Sequence, residues 1–449
     1  MKRVLILGAG LVVRPMVEYL LEREITVKIA TTTREKADNM IRGNPYGTSL
    51  KWSADDTGTL GKLVSGADVV VSFLPWRHHV TVAGVCIENR KPLVTTSYVQ
   101  PEMMALDRQA REAGVLLLNE IGLDPGIDHM TAMKVIDHIH GKKGTVTEFW
   151  SMCGALPAPE AADNPMKYKF SWSPRGVVMA GKNSALYMRK GKEVTIDPDE
   201  LFRDTFIYNF PGIGDLEVYP NRDSVSYLGI YGITGASTMY RGTFRYKGWC
   251  ETLDAMKRLG MLDDEITDFS NMTYAGFMAE RAGTGIAGLR KEVASKLGLS
   301  EDSIPLQSLE YLGFFTDEIL NYTRTSPFEI TSDRMIQKMV LNEKERDMVV
   351  MQHIFLASYP DGEKEVIKSS MLDFGTPSEN TAVARTVALP AACAVRMILE
   401  KELILKGVHR PVLPEIYEPV LEELKTLGIE MKEEYGLSES QMNLHETIG

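Results

Sequence analysis

The chain opens with a short hydrophobic run that ends in two glycines, and this feature narrows its possible folds more than any other. Residues 3–7 predict a buried strand, Gly8 and Gly10 follow it directly, and a helical pattern covers residues 15–22. In such a strand–turn–helix, the first glycine permits the tight turn and the second lets the backbone approach a pyrophosphate at the positive end of the helix. Val13 stands where a third glycine is usual. The arrangement predicts a dinucleotide-binding loop.

The next hundred or so residues alternate between short apolar runs and helical patterns, as the βαβ units of a parallel sheet do. The runs are β-branched or leucine-rich, as strands buried on both faces should be. Further strands are predicted over residues 26–30, 68–74, 92–96 and 115–118, with an edge strand over 48–52. Helices are predicted over residues 34–41, 79–89 and 102–113. The fold class is therefore α/β, with a Rossmann-type doubly wound parallel sheet.

The pattern changes after residue 119. Extended stretches over residues 176–192 and 241–249 predict a mixed sheet, in which residues 176–180 form a core strand. Residues 254–342 are helical and charged, and two more helices are predicted over 380–400 and 415–428, the first of them docking on the first domain. We expect a dinucleotide-binding domain over 1–123 completed by 376–449, a mixed α+β substrate-binding domain over 124–260 and 343–375, and a small helical domain over 261–342.

Composition excludes several classes of function. Hydrophobic residues make up 44% of the 449 residues and charged residues 25%, which is ordinary for a globular protein. The net charge of −11 disfavours a protein that follows nucleic-acid phosphates. Four scattered cysteines without a C-x-x-C pair suit a reducing compartment. No apolar stretch approaches the roughly eighteen residues that a membrane span needs. We therefore expect a cytoplasmic protein with no nucleic-acid or membrane partner.

The adjacent histidines His78 and His79 invite a metal hypothesis. Neighbouring side chains point apart, and no cysteine or carboxylate shares their spacing, so no metal site is predicted. We expect one histidine to begin a helix and the other to line a pocket.

Several long motifs, rich in rare residues, run in order through the chain. They occupy residues 119–129, 153–160, 168–174, 219–224 and 241–248, with shorter ones at 73–76 and 96–98. These motifs resemble those of the glutamate-forming saccharopine dehydrogenase family. The resemblance implies that the chain oxidises the secondary amine of saccharopine with NAD(P), after which water cleaves the imine to glutamate and 2-aminoadipate 6-semialdehyde. Two alternatives stay open: a related imine reductase of polyamine synthesis, and a non-catalytic protein that senses NAD(P).

Independent features indicate a substrate site. Ser97 and Tyr98 end the fifth strand on the edge where open α/β sheets bind ligands. Asp124 precedes a predicted helix over residues 127–140, whose first turn, with Pro125, offers free amides to a carboxylate. A helix cap is the alternative for Asp124. The resemblance places Asp124 beside Ser97, Tyr98 and Cys153. The catalytic candidates are thus Asp124, Cys153 and Tyr98, although water could also serve as the base.

Arginines suit the three carboxylates of the substrate that the resemblance implies. A strand repeat of two places Arg241, Thr243 and Arg245 on one face, and guanidinium groups pair with carboxylates in a bidentate manner. A solvated outer face is the alternative. The resemblance adds Arg222 and Ser171 to the substrate-binding set, which also contains Ser97, Tyr98, Asp124 and Pro125.

The end of the second strand bears on the choice of cofactor. Thr31, Thr32, Thr33 and Arg34 follow one another there without a carboxylate to hold a ribose 2′-hydroxyl, so NADP is favoured and NAD remains possible. NADP-using members of the family have an arginine at Thr32, and NAD-using members place an acid nearby, so the sequence departs from both patterns. We also expect a homodimer. The predicted cofactor-binding residues are Gly8, Gly10, Leu11, Val12, Val13, Thr32, Thr33, Arg34, Leu74, Thr96, Ser97 and Leu123.

Overall fold

The computed structural model describes residues 2–442 and 444, so the end of the segment predicted to complete the first domain, residues 443 and 445–449, lies outside it. Strands and helices are numbered along the chain. The strands are β1 Arg3–Leu7, β2 Thr26–Thr31, β3 Gly47–Lys51, β4 Val69–Ser72, β5 Leu93–Thr95, β6 Leu116–Leu118, β7 Thr145–Pro157, β8 Ala185–Arg189, β9 Lys192–Ile196, β10 Phe206–Phe210, β11 Gly214–Pro220, β12 Thr238–Arg245, β13 Thr267–Asp268, β14 Arg324–Thr325, β15 Asp347–Ser358, β16 Lys364–Phe374, β17 Gly407–His409 and β18 Lys432–Leu437.

The helices, leaving out short 3-10 turns, are α1 Arg14–Glu22, α2 Arg34–Ile41, α3 Thr57–Ser65, α4 His79–Glu88, α5 Pro101–Met104, α6 Asp107–Ala113, α7 Ile127–Gly141, α8 Pro174–Ala180, α9 Ser226–Ile230, α10 Trp249–Arg258, α11 Tyr274–Ala282, α12 Leu289–Leu297, α13 Ile304–Tyr311, α14 Pro327–Lys338, α15 Ala382–Glu400 and α16 Pro414–Thr426.

The first sheet is parallel and has seven strands in the order β17-β6-β5-β4-β1-β2-β3. Its central strands are buried along their whole length, because helices cover both faces. The strand order reverses beside β1, so the carboxyl ends of β1, β4 and β5 open on a crevice where such sheets bind ligands. The predicted Rossmann-type fold is confirmed, including the edge strand β3. The seventh strand, β17, comes from far along the chain and was not predicted.

The second sheet is mixed and has nine strands. Its main path is β10-β11-β12-β7-β15-β16-β18, in which only β12 and β7 run parallel, and the hairpin of β8 and β9 joins at β12. The long strand β7 leads away from α7, so α7 connects the crevice of the first sheet to the centre of the second. Helices α10 to α14 and the small pair of β13 and β14 follow β12, as the helical pattern predicted.

One predicted strand is wrong. Residues 176–180 lie in helix α8, which begins at Pro174 directly after Ser173. Proline at the first helical position fixes the backbone for a helix, and this local signal outweighs the β-branched pair Val177 and Val178. Those two valines are buried on one side of α8. The extended stretch predicted around them is confined to the hairpin of β8 and β9.

Helix α15 corrects a second expectation. Its nineteen residues have a mean hydropathy of 1.6 over the best window and could cross a membrane by length and composition alone, although no stretch was expected to come close. In the fold, 72% of that window is buried, and the helix packs against α1, α16 and the strands β4 and β5. The predicted docking of this helix on the first domain is confirmed. The domain boundaries themselves stay a prediction.

Candidate active site

The loop after β1 is shaped for close approach of a ligand. Gly8 has φ +102°, and a Cβ atom there would lie 3.1 Å from the carbonyl oxygen of Phe73. A Cβ atom at Gly10 would meet nothing within 4 Å, so this side of the turn is open. Val13 is fully buried and precedes α1, which has no side-chain cap and no acidic residue in its first turn. The first amides of α1 therefore suit a pyrophosphate, as predicted.

The other predicted cofactor residues differ in exposure. Leu11 is 62% exposed, Val12, Leu74 and Thr96 are partly buried, and Leu123 is buried. Thr32, Thr33 and Arg34 are exposed beyond β2. The Arg34 guanidinium donates to the Ser49 hydroxyl at 3.1 Å and lies 3.5 Å from the Asp38 carboxylate. The cofactor end is thus an open rim whose polar side chains are exposed and make few contacts with the rest of the protein.

His79 lies at the carboxyl edge of the first sheet. Its ring nitrogens contact the hydroxyls of Ser72 at 3.0 Å and Ser97 at 2.8 Å. Burial lowers the pKa of His79 to about 4, so the imidazole is neutral near pH 7 and holds Ser97 through a hydrogen bond. His78 occupies the cap position of α4, without a side-chain cap bond. The two histidines thus lie at the start of α4, while the pocket-lining role expected for one of them stays a prediction.

Three predicted residues meet in one buried cluster. The Tyr98 hydroxyl donates to the Asp124 carboxylate at 3.0 Å, and the Arg241 guanidinium contacts that carboxylate at 2.5 Å and the Tyr98 hydroxyl at 3.2 Å. Arg241 also contacts Asp128 at 3.2 Å. Burial raises the pKa of Asp124, and the Arg241 charge opposes that rise. A carboxylate of raised pKa next to a hydroxyl and a guanidinium is equipped to accept and return a proton.

Cys153, Thr243 and Arg245 lie beside this cluster. Cys153 on β7 is paired with Thr243 on β12, and burial raises the pKa of its thiol well above the ordinary value. Arg245 is 4% exposed, and its guanidinium packs against the rings of Tyr168, Tyr219 and Trp249. Among the described residues no carboxylate pairs with it. On the predicted face of β12, Arg241 and Arg245 are buried and Thr243 is partly buried, so the outer-face alternative is wrong.

The remaining predicted residues are placed as follows. Arg222 is exposed, adopts φ +50°, and holds its guanidinium 5.4 Å from the centre of the Tyr98 ring. Pro125 is buried in the turn before α7. Ser171 is buried and hydrogen-bonds to Asp347, whose carboxylate also accepts from the first amides of α15. Arg222 therefore reaches the cluster, whereas Ser171 contacts Asp347 outside it.

The turn before α7 corrects one detail. Pro125 and Gly126 precede the helix instead of forming its first turn, and the Gly126 amide, expected to be free for a substrate carboxylate, donates to Asp128 at 2.5 Å. Asp124 makes no cap bond, so the cap alternative is wrong. Asp128 was not predicted as a site residue. Its position one helical turn after Asp124 was the available signal, but a carboxylate in the first turn of a helix is common without any function.

Comparison with known proteins follows the same division of the chain. Residues 4–118 match the family described as saccharopine dehydrogenase NADP binding domain, and residues 122–429 match saccharopine dehydrogenase C-terminal domain. The chain belongs to the saccharopine dehydrogenase family. Its first part is therefore an NADP-binding domain, and the predicted cofactor is confirmed at the level of the family.

Relatives in this family match over nearly the whole length. Saccharopine dehydrogenase (NADP(+), L-glutamate-forming) of Pyricularia oryzae is 36% identical over 96% of this chain and 98% of its own. The Saccharomyces cerevisiae protein of the same description is 36% identical over 96% and 99%. Mouse mitochondrial alpha-aminoadipic semialdehyde synthase is 36% identical over 95% of this chain but 47% of its own. The apo structure of L-Glu-forming saccharopine dehydrogenase from S. cerevisiae superposes with a TM-score of 0.90, at 34% identity, covering 97% of this chain and 100% of that one.

Proposed function

We propose that this chain oxidises saccharopine at its secondary amine with NADP and releases glutamate and 2-aminoadipate 6-semialdehyde. The full-length likeness to glutamate-forming saccharopine dehydrogenases carries the proposal. The site supports it, because a buried Tyr98–Asp124–Arg241 cluster lies next to the nucleotide edge of the first sheet.

The substrate end is suited to a ligand with several carboxylates. Arg245 is buried without a carboxylate partner among the described residues, so a substrate carboxylate would complete its pairing. Arg222, in the loop after β11, holds its guanidinium 5.4 Å from the centre of the Tyr98 ring and can pair with a second carboxylate. Arg241 was predicted to bind a substrate carboxylate too, but Asp124 and Asp128 already neutralise it. We therefore assign Arg241 to organising the site.

NADP, when bound, supplies the hydride acceptor. The chain must orient the substrate, take the proton of the amine and then admit the water that cleaves the imine. Burial raises the pKa values of Tyr98 and Cys153 well above their ordinary ranges, so neither group ionises readily as a base. Asp124 is the carboxylate among the three candidates, and a raised pKa brings it closer to the range useful for proton transfer. We propose Asp124 as the proton acceptor.

Incubation with saccharopine and each cofactor tests the proposed function. We expect reduced cofactor and free glutamate in equal amounts, measured by absorbance of the nicotinamide and by amino-acid analysis. Heat-inactivated protein is the control. Appearance of lysine and 2-oxoglutarate would mean that the other C–N bond is cleaved, and the assignment would be wrong.

We also propose that the protein acts as a homodimer in the cytoplasm, without nucleic-acid or membrane partners. Four free, buried cysteines support a reducing compartment, and a net charge of −11 disfavours nucleic-acid partners. Analytical sedimentation and localisation of the tagged chain test it.

A further inference from the structure

We propose that Glu120 is a positioning residue, which fixes the Tyr98 hydroxyl and the Arg241 guanidinium relative to each other. Glu120 touches neither the nucleotide loop nor the face of β12 where substrate is proposed to bind. It lies behind the site, is 1% exposed, and carries a charge. The activity readouts below rest on the proposed function, and a structural readout does not.

Glu120 holds the backbone on both sides of Tyr98. Its amide donates to the carbonyl oxygen of Ser97 at 3.2 Å, and its carboxylate accepts from the amide of Val99 at 2.8 Å. Tyr98 is therefore bracketed by two hydrogen bonds to a single residue. The orientation of its ring, and the 3.0 Å contact of its hydroxyl with Asp124, follow from this bracket.

The second oxygen of Glu120 acts on the other half of the cluster. It accepts from Nε2 of His129 at 2.8 Å, and Nδ1 of His129 contacts the Tyr231 hydroxyl at 2.6 Å. The His129 ring stacks on Tyr227 at 5.5 Å between centroids, and the Arg241 guanidinium lies 4.4 Å from the centre of the same Tyr227 ring. The carboxylate thus anchors the aromatic surface on which Arg241 rests.

Two observations argue that this arrangement is more than ordinary packing. Glu120 adopts φ +57°, a left-handed conformation that residues other than glycine rarely keep unless their surroundings impose it. Burial alone would raise the pKa of its carboxylate, but the hydrogen bond from His129 and the nearby charge of Arg410 outweigh burial and lower this pKa to about 2, so the group is charged near pH 7. A strained backbone and a buried charge at one residue beside an active site are typical of positioning.

Arg410 connects Glu120 to the C-terminal segment of the chain. Its guanidinium donates to Glu120 at 2.9 Å from the segment just after β17, the strand that completes the first sheet. Docking of the C-terminal segment therefore also stabilises the orientation of Tyr98.

Kinetics of Glu120 variants test the proposal. We expect Glu120→Ala to lower kcat with saccharopine about a hundredfold, the size of effect seen when reacting groups are misplaced by about 1 Å. Glu120→Gln, which keeps the reach and one acceptor, should lose about tenfold. The NADP dissociation constant should stay within about twofold. The matched control is Asp373→Asn, which removes another buried carboxylate paired with an arginine, Arg385, away from the site.

A double-mutant cycle separates positioning from general destabilisation. If Glu120 acts through Tyr98, Glu120→Ala should cost less than about threefold in a Tyr98→Phe background. Additive losses, or a kcat loss for Glu120→Ala no larger than that for Asp373→Asn, would overturn the proposal. Should Glu120→Ala fail to fold, Arg410→Ala replaces it in the same cycle, with an expected loss of about threefold that disappears in the Tyr98→Phe background.

Crystal structures of the variants give a readout that needs no turnover. We expect the Tyr98 hydroxyl to move out of hydrogen-bond range of Asp124 in Glu120→Ala, or in Arg410→Ala if that variant replaces it, and to stay in range in Asp373→Asn. An unmoved Tyr98 would overturn the proposal. If the wild-type protein does not oxidise saccharopine, the proposed function fails while this comparison still decides the role of Glu120.

Discussion

The two ends of the cleft are built in opposite ways. At the cofactor end, Leu11 is 62% exposed, Thr32 and Thr33 are exposed, and the exposed Arg34 contacts the partly buried Ser49 and the exposed Asp38. At the substrate end, the charges of Arg241, Asp124 and Asp128 are buried and in mutual contact. One end offers groups that are still hydrated, whereas the other has already removed its charges from water.

This difference indicates where binding and where chemistry are prepared in advance. Side chains of the hydrated rim lose their water only when the nucleotide binds. Each of them therefore contributes modestly to the free energy of binding. The groups of a buried cluster lose their water during folding, and they keep a fixed orientation towards the reacting atoms. We therefore expect substitutions to have large effects on stability and turnover at the substrate end, and small effects on selectivity at the cofactor end.

The largest effect is expected for Arg241→Met. Removing the guanidinium leaves Asp124 and Asp128 buried next to each other without a cation, and breaking a buried ion pair in this way costs about 3–5 kcal/mol. Urea unfolding at pH 7 measures the loss, and saccharopine turnover should disappear with it.

Arg203→Ala is the matched control for this prediction. Arg203 also contacts two carboxylates, Glu200 and Asp254, but its side chain is 45% exposed. Its loss should cost about 0–1 kcal/mol. If both variants lose the same stability, burial does not distinguish the two regions as argued.

An intermediate effect is expected for Arg222→Ala. The Arg222 guanidinium lies over the Tyr98 ring and remains exposed, so it can pair with a substrate carboxylate, and no carboxylate in the part of the chain that the structure describes pairs with it. Losing a charge-assisted contact costs roughly 1.5–3 kcal/mol, which lowers kcat/KM by about ten- to a hundredfold. Steady-state kinetics measure this, with NADP affinity little changed. Arg108→Ala, on the exposed face of α6, is the control. An unchanged kcat/KM would make Arg222 a surface residue.

The same division explains what could be predicted from the sequence. The first sheet follows from local patterns, because each buried parallel strand is a continuous apolar run and the Gly8 turn has its own signature. Strand β17 could not be predicted, since three residues carry no pattern and their pairing with β6 depends on the whole fold. Residues 176–180 were mistaken for a strand because β-branched residues were weighed above the proline that begins α8.

The sequence predicted which residues belong to the candidate site better than it predicted the contacts between them. Tyr98, Asp124 and Arg241 were identified by position and by motif, and they do meet. That Arg241 pairs with Asp124 and Asp128 could not be read from the sequence, because the pairing joins residues more than a hundred positions apart. Glu120 lies within the motif of residues 119–129, but it was not predicted as a site residue, since a glutamate after a strand is ordinarily exposed.

The smallest effect concerns Arg34 and the choice between the two nicotinamide cofactors. The rim beyond β2 has hydroxyls and a guanidinium but no carboxylate at residues 31–34, so an additional 2′-phosphate is not repelled there. Arg34 is held by Asp38 at 3.5 Å in an exposed pair, whose worth of about 0–1 kcal/mol is small enough for a phosphate to displace.

We therefore expect the wild-type protein to prefer NADP over NAD by about tenfold, or about 1.4 kcal/mol. Arg34→Ala should abolish most of this preference and leave turnover with NAD unchanged, because NAD has no phosphate for the guanidinium to contact. Lys36→Ala, two residues along α2 and also exposed, serves as control for a general loss of positive charge. Values of kcat/KM with both cofactors for the three proteins decide the matter. A wild-type preference for NAD would contradict the prediction, and an equal loss in Lys36→Ala would assign the preference to the overall field instead of to a contact made by Arg34.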